Sequence, residues 1–159
     1  MTKYSKIKAI RYHDISVGHR VVGHEGKCRH LHGHNYRVHF HCEAEYLDSV
    51  GRVVDFGVIK HKLCEWLEQN WDHKFLAFEK DSLMRGLVAA CDWKDKGLYT
   101  QDSIDIENSV VFVPFNPTAE NMAYYLLTHI APQKMVGTGV IVTKIIIDET
   151  RKCSVEVEL

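Results

Sequence analysis

The run Cys28-Arg29-His30-Leu31-His32-Gly33-His34 packs three imidazoles and a thiol into one short stretch. These are the side chains that hold transition metals and move protons near neutral pH. Beyond His34 the chain alternates. Tyr36, Val38, Phe40, Cys42 and Ala44 share one parity, and Arg37, His39, His41, Glu43 and Glu45 share the other. Alternation of this kind predicts a half-buried strand over 32–47, and its parity turns His32 and His34 inward. Side chains at i and i+2 of a strand lie about 6–7 Å apart, so both imidazoles can converge on one ion. Gly33 between them has no side chain to crowd the opposite face. The competing reading is a pair of hydrogen-bonded core histidines. A catalytic zinc takes three protein ligands and keeps one position open. His19, inward-facing at the end of an adjacent strand, is the best third ligand, with His13, His24 and His30 as competitors. Three neutral imidazoles leave the metal its full charge, which suits a Lewis acid. No cysteine pair is placed to close the site, so a purely structural zinc module is disfavoured. His39 and His41 point away.

Cys28 lies four residues before His32, between Lys27 and Arg29. Positive neighbours favour a thiolate, which beside a bound substrate can act as nucleophile or general base. Asp72-His73 can form a carboxylate–imidazole partnership, although sequence neighbours often point apart. Glu149 extends the face of Ile145 and Ile147. A carboxylate on an apolar face requires a partner. Adjacent N–H donors, such as those of a pterin or guanine ring, would pair with it; the alternative is a solvated residue past the strand end.

The elements that must position these groups follow from periodicity and punctuation. Strands are expected at 6–19, 32–47, 140–150 and 153–159, the last two joined by a tight antiparallel turn. Asp55 and Thr118 are helix N-caps. Phe56, Ile59, Leu63, Trp66 and Leu67 mark a helix over 56–70. Met122, Leu126, His129 and Ile130 mark a second, ending near Pro132. Residues 80–109 read as a surface excursion with some helix around 81–91, and Val110–Val113 as a short strand. The chain is therefore an α+β single domain over 1–159, in the order β-β-α-α-β-β, with an insertion at about 80–109. Apolar residues on both faces of the third strand predict that a second subunit covers the sheet.

Composition narrows the classes of function. The 159 residues carry a net charge of −1, with no basic stripe for nucleic acid. No apolar run is long enough for a membrane span, and no signal peptide is legible. Five cysteines without a Cys-x-x-Cys pair indicate reduced thiols in a cytoplasmic compartment. Of the eleven histidines, most fall between His13 and His41.

In order along the chain stand His19, then Cys28-x3-His32-Gly33-His34, Val54-Asp55-Phe56, Asp72-His73, Pro117-Thr118-x-Glu120-Asn121 and Glu149-Thr150. This series resembles the 6-pyruvoyltetrahydropterin and 6-carboxytetrahydropterin synthase family, over nearly the whole chain outside about 80–109. The resemblance implies the tunnelling fold: a four-stranded antiparallel sheet with two helices on one face. Three subunits would close a twelve-stranded barrel, and two trimers would stack as a hexamer. It implies Zn2+ on His19, His32 and His34, and Cys28 as the proton-abstracting base with Asp72 and His73 as its relay. It also implies Glu149 as the pterin anchor, with Thr118 assisting from the head of the second helix.

Three residues between the cysteine and His-Gly-His resemble the bacterial 6-carboxy enzymes of queuosine (7-deazaguanine) biosynthesis; the animal pyruvoyl enzymes have five. Members serving folate synthesis use a glutamate in place of, or beside, the cysteine, and Glu25 is not at that place. Ile15-Ser16-Val17-Gly18 departs from the family's more usual Phe and small residues before the histidine. The implied activity is a lyase acting on 7,8-dihydroneopterin triphosphate, giving 6-carboxy-5,6,7,8-tetrahydropterin, acetaldehyde and triphosphate. The alternatives are 6-pyruvoyltetrahydropterin formation by triphosphate elimination alone, and a non-catalytic pterin-binding protein.

Overall fold

A computed structural model of the chain describes residues 7–91 and 106–159. The expected antiparallel frame is present: β1 (Ala9–His19), β2 (His32–Ala44), β5 (Val140–Asp148) and β6 (Ser154–Glu158) lie side by side in that order. Two further strands, β3 (Lys74–Phe78) and β4 (Val110–Val113), extend the sheet beyond β1, in the order β4-β3-β1-β2-β5-β6. The sheet is thus six-stranded and mixed rather than four-stranded and antiparallel, because β3 runs parallel to β1 and β4 parallel to β3. Lys74-Phe-Leu-Ala-Phe78 escapes a period-two search. Leu76 and Ala77 are consecutive and both buried, as parallel strands covered on both faces require.

One face of the sheet packs on two long helices. The first, α1 (residues 56–70), starts where the Asp55 carboxylate accepts the Gly57 N–H and contains a π turn at Lys60–Cys64. The last, α3 (residues 119–134), starts where Thr118 accepts the Asn121 N–H and contains a π turn at Leu126–Ile130. Each π turn fits an extra residue into the coil and rotates the buried stripe. Ile59, Leu63, Cys64 and Leu67 therefore face the core while Phe56 is exposed, and Leu126, Leu127 and Ile130 face it while His129 is exposed. Within the 80–109 segment the expected helix is present as α2 (Ser82–Ala90), and Asp81 caps it. Residues 92–105 of the segment read as an insertion lie outside the described residues, and Ile106–Ser109 form a short helical turn leading into β4.

The inward parity of β2 holds: Tyr36, Val38, Phe40 and Cys42 are all buried. In β5 the parity changes midway. A bulge opposite His41 and Cys42 puts Val140, Val142, Ile145 and Ile147 on the core face and leaves Ile141 exposed. The bulge moves Ile141 off the face of Ile145 and Ile147, and β5 still carries apolar side chains, Ile141 and Ile146, on its outer side. Its outer side carries Lys144, which bridges Glu156 and Glu158 on β6.

Candidate active site

β1 and β2 pair in a register that sets His19 opposite His32, Gly18 opposite Gly33 and Val17 opposite His34. This brings three imidazoles to one end of the core-facing sheet surface. Their ring centroids are 4.5 Å (His19–His32), 5.1 Å (His32–His34) and 5.3 Å (His19–His34) apart. One ring nitrogen from each lies within 4.8 Å of the others. Two of the three tautomers are set by the backbone. His19 Nδ1–H donates to the Pro117 carbonyl at 2.6 Å, and His32 Nδ1–H donates to the His30 carbonyl at 2.7 Å. A carbonyl only accepts, so the Nε2 lone pair of each ring is free. His32 Nε2 is buried and has no hydrogen-bond partner among the described residues. Buried polar atoms are seldom left without one, and an ion supplies the missing contact. Bonds of about 2.0–2.1 Å to zinc would need ring movements of under about 1 Å. The donor set fits a metal ion.

Gly33 is the close-approach position between two of these rings. A Cβ there would lie 2.8 Å from the Val17 carbonyl oxygen. The competing histidines have other roles. His13 pairs with Glu68 at 3.1 Å, His24 Nδ1 accepts the Gly26 N–H, and His30 contributes its carbonyl to His32.

Glu149 sits one residue past β5, yet its side chain turns to the cluster. Oε1 is 3.7 Å from His34 Nε2 and 3.9 Å from His19 Nε2. The Tyr36 hydroxyl, on the same parity as His32 and His34, donates to Glu149 Oε1 at 3.3 Å and lies 3.2 Å from His19 Nε2. Burial pushes the Tyr36 phenol far above its ordinary value, and the Glu149 carboxylate adds to the effect. Burial pushes the His19 and His34 imidazoles below the ordinary histidine range, against the upward pull of the Pro117 carbonyl on His19 and of Glu149 on His34. His19 and His34 are thereby favoured in the neutral form that can ligate.

Two openings meet at Glu149. A pocket of about 350 Å³ is lined by His19, Cys28, Thr118, Glu120, Glu149 and Cys153. That volume falls in the range of small-molecule sites, and the pocket has two thiols, two carboxylates and, with His24, two histidines on its wall. A wider cleft of about 1120 Å³ contains His34, Asp72, His73 and Glu149. Asp72 and His73 form the pair that their adjacency suggested: His73 Nδ1 is 2.7 Å from Asp72 Oδ2, and Asp72 Oδ1 accepts the Ser16 N–H at 2.8 Å. Burial alone would raise the Asp72 carboxyl, but the Ser16 amide and His73 outweigh it and hold it below its usual value. His73 has a left-handed backbone (φ 56°), pinned by its N–H to the Ser16 carbonyl at 2.8 Å, and its ring is 81% exposed. Cys28 thus lines one opening and the Asp72–His73 pair the other, with Glu149 common to both.

Sequence reasoning missed three contributors. Tyr36 was legible by parity but was read as core. Asn116, one residue before the Pro117-Thr118 motif, accepts the Val22 N–H (2.9 Å) and donates to the Val22 carbonyl (2.8 Å). Arg20 pairs with Asp81 at 2.7 Å. Neither of the last two carries a motif.

Known proteins of the same pattern match nearly the whole chain. The family model described as 6-pyruvoyl tetrahydropterin synthase matches residues 9–159. A 6-carboxy-5,6,7,8-tetrahydropterin synthase of Rickettsia felis is 33% identical over 151 residues, 95% of this chain and 99% of that protein. Its namesake from Rickettsia bellii is 34% identical over the same shares. Among solved structures, a protein of Wolinella succinogenes superposes with a TM-score of 0.82 at 25% identity, covering 96% of this chain and 97% of that one. The 6-pyruvoyl tetrahydropterin synthase of Caenorhabditis elegans shares the fold, with a TM-score of 0.65 at 19% identity over 100% of this chain and 99% of that one.

Proposed function

Given that the chain belongs to the 6-pyruvoyl tetrahydropterin synthase family, we propose that it is a zinc-dependent 6-carboxy-5,6,7,8-tetrahydropterin synthase. It would convert 7,8-dihydroneopterin triphosphate and one water to 6-carboxytetrahydropterin, acetaldehyde and triphosphate, the water supplying the carboxylate oxygen as the side chain is cleaved, on a route to 7-deazaguanine products such as queuosine. The observation that carries the proposal is a three-histidine cluster beside a pocket of ligand size whose wall holds one of those histidines, His19, together with Glu149 and Cys28. The carboxy product is favoured because the Rickettsia relatives, similar over 95% of this chain, carry that name.

In this reading His19, His32 and His34 hold Zn2+, which when bound supplies Lewis acidity toward the hydroxyls of the substrate's side chain. Glu149 accepts adjacent N–H groups of the pterin ring and fixes its orientation. Tyr36, already donating to Glu149 Oε1, restricts that carboxylate to one direction. Thr118 and Glu120 line the same pocket from the head of α3. Cys28 removes a proton from the substrate side chain, and Asp72 and His73 relay protons, the carboxylate fixing the imidazole tautomer. Proton movement along this set tautomerises the ring and expels triphosphate before the carbon side chain is cleaved. Cys28→Ala is expected to keep its zinc and lose turnover.

The chain is proposed to assemble as a homo-oligomer, a trimer or hexamer. β4 and β6 are open sheet edges, and Ile10, Tyr12 and Ile141 are exposed on the sheet. A cytoplasmic location agrees with five unpaired cysteines. No helix among the described residues is long and apolar enough to cross a membrane.

The test incubates zinc-loaded protein with 7,8-dihydroneopterin triphosphate and quantifies triphosphate and trapped acetaldehyde. Equal amounts of both support the proposal. Triphosphate without acetaldehyde assigns the pyruvoyl product, and neither product leaves a pterin-binding protein.

A further inference from the structure

Resting on that reading, we propose that Arg20 is a positioning residue for Cys28, anchored by Asp81 at the start of the inserted segment. Cys28 belongs to a short helical turn, Lys27–Arg29, in the loop joining β1 to β2, and nothing in its own sequence fixes where that turn sits. The neck of the loop is closed by two adjacent residues of one strand end. The Val21 N–H donates to the Cys28 carbonyl at 2.8 Å, and Arg20 Nη1 donates to the Arg29 carbonyl at 3.2 Å. The loop's far side is held where the Asn116 carboxamide takes both backbone groups of Val22.

Arg20 is itself anchored. Its Nε donates to Asp81 Oδ2 at 2.7 Å, and Asp81 is 2% exposed. A carboxylate that deeply buried is stable only when paired, so the guanidinium has little freedom to leave it. The other oxygen, Asp81 Oδ1, accepts the Leu83 N–H at 3.0 Å and caps α2. One buried carboxylate therefore ties the inserted helix to Arg20. The rigid fork of Arg20 then carries that fixed point to the residue next to the thiol. Because Arg20 directly follows the candidate ligand His19, the same strand end sets both the metal side and the thiol side of the pocket. Only an arginine meets both contacts at once. A lysine reaches Asp81 with a single ammonium and has no second, fixed donor for the Arg29 carbonyl.

The test is Arg20→Lys on the zinc-loaded, full-length protein, with Asp81→Asn as a second variant that keeps a capping oxygen for α2. Expected for both are a full zinc complement, KM near the parent value and kcat down about tenfold, since a displaced thiol loses its proton-transfer geometry. Site-resolved mass spectrometry of iodoacetamide labelling is expected to show Cys28 modified about threefold faster, as the loop opens more often. Parental kcat and labelling in both variants would overturn the proposal. So would a kcat loss accompanied by zinc loss and a raised KM, which marks general collapse of the site. If the parent itself turns over no dihydropterin triphosphate, the functional reading fails. The labelling comparison, which needs no substrate, still decides the role of Arg20.

Discussion

Gly33→Ala tests whether the metal cluster depends on how closely β1 and β2 approach. An added Cβ would sit 2.8 Å from the Val17 carbonyl oxygen, 3.3 Å from Gly18 Cα and 3.4 Å from the Val17 carbonyl carbon. All three neighbours are backbone, so no side chain can swing aside. The strands must separate by several tenths of an ångström, where the Gly18–Gly33 pair lies between the His19–His32 and Val17–His34 pairs. Overpacking of this kind costs about 2–3 kcal/mol. For a chain of this length that is a fall of about 5–10 °C in Tm. The same separation moves His32 and His34 away from His19, and zinc affinity should drop about tenfold or more. The assay is thermal unfolding of metal-free protein, followed by competitive zinc titration. Gly86→Ala provides the contrast, because Gly86 lies within α2 and, its own helix backbone aside, no atom of the described residues comes within 4 Å of its added Cβ. That change should leave Tm equal or raise it by about 1–3 °C, the effect of about 0.4–1 kcal/mol. A Gly33→Ala protein with parental Tm and zinc affinity would refute the close-approach argument.

His32→Ala removes the one imidazole nitrogen of the cluster that is buried without a partner, and should reduce bound zinc to well below one per chain by elemental analysis. Stoichiometric retention would count against the ligand set. The metal-free protein should lose stability as pH falls. His19, His34 and His41 all titrate lower in the folded state than the unfolded value of 6.5, so the unfolded chain binds more protons there. The contribution is full above about 6.5 and is lost as pH drops through the lowered folded values, and a Tm that is flat or rising from pH 7 to 5 would contradict it. Tyr36→Phe removes a hydroxyl that meets Glu149 and His19. It should cost about 1 kcal/mol in urea unfolding, keep zinc, and weaken binding of a dihydropterin; unchanged pterin affinity would show that Tyr36 does not orient Glu149.

Much of the site was readable because strands impose a period of two. That parity placed His32 and His34 together and turned them inward, and the end of β1 supplied His19. It also contained Tyr36, hidden by an aromatic ring that reads as core. Helix starts were legible because Asp55 and Thr118 cap in the ordinary way. The failures have local causes. β3 is a short parallel strand without alternation, and the bulge in β5 changes parity inside a run of β-branched residues. The π turns rotate two helix faces away from ideal periodicity. Asp81, Arg20 and Asn116 act through long-range hydrogen bonds, which leave no periodic trace.

The central claim is that one metal, held by three strand histidines, shares a pocket with a pterin anchored on Glu149. Zinc-edge anomalous diffraction from crystals of Cys28→Ala soaked with 7,8-dihydroneopterin triphosphate tests it most directly. One anomalous peak per chain is expected, bonded to the Nε2 atoms of His19 and His32 and to a ring nitrogen of His34, with the pterin ring against the Glu149 carboxylate. A peak elsewhere, no peak in zinc-loaded crystals, or a pterin ring bound away from Glu149 would contradict it.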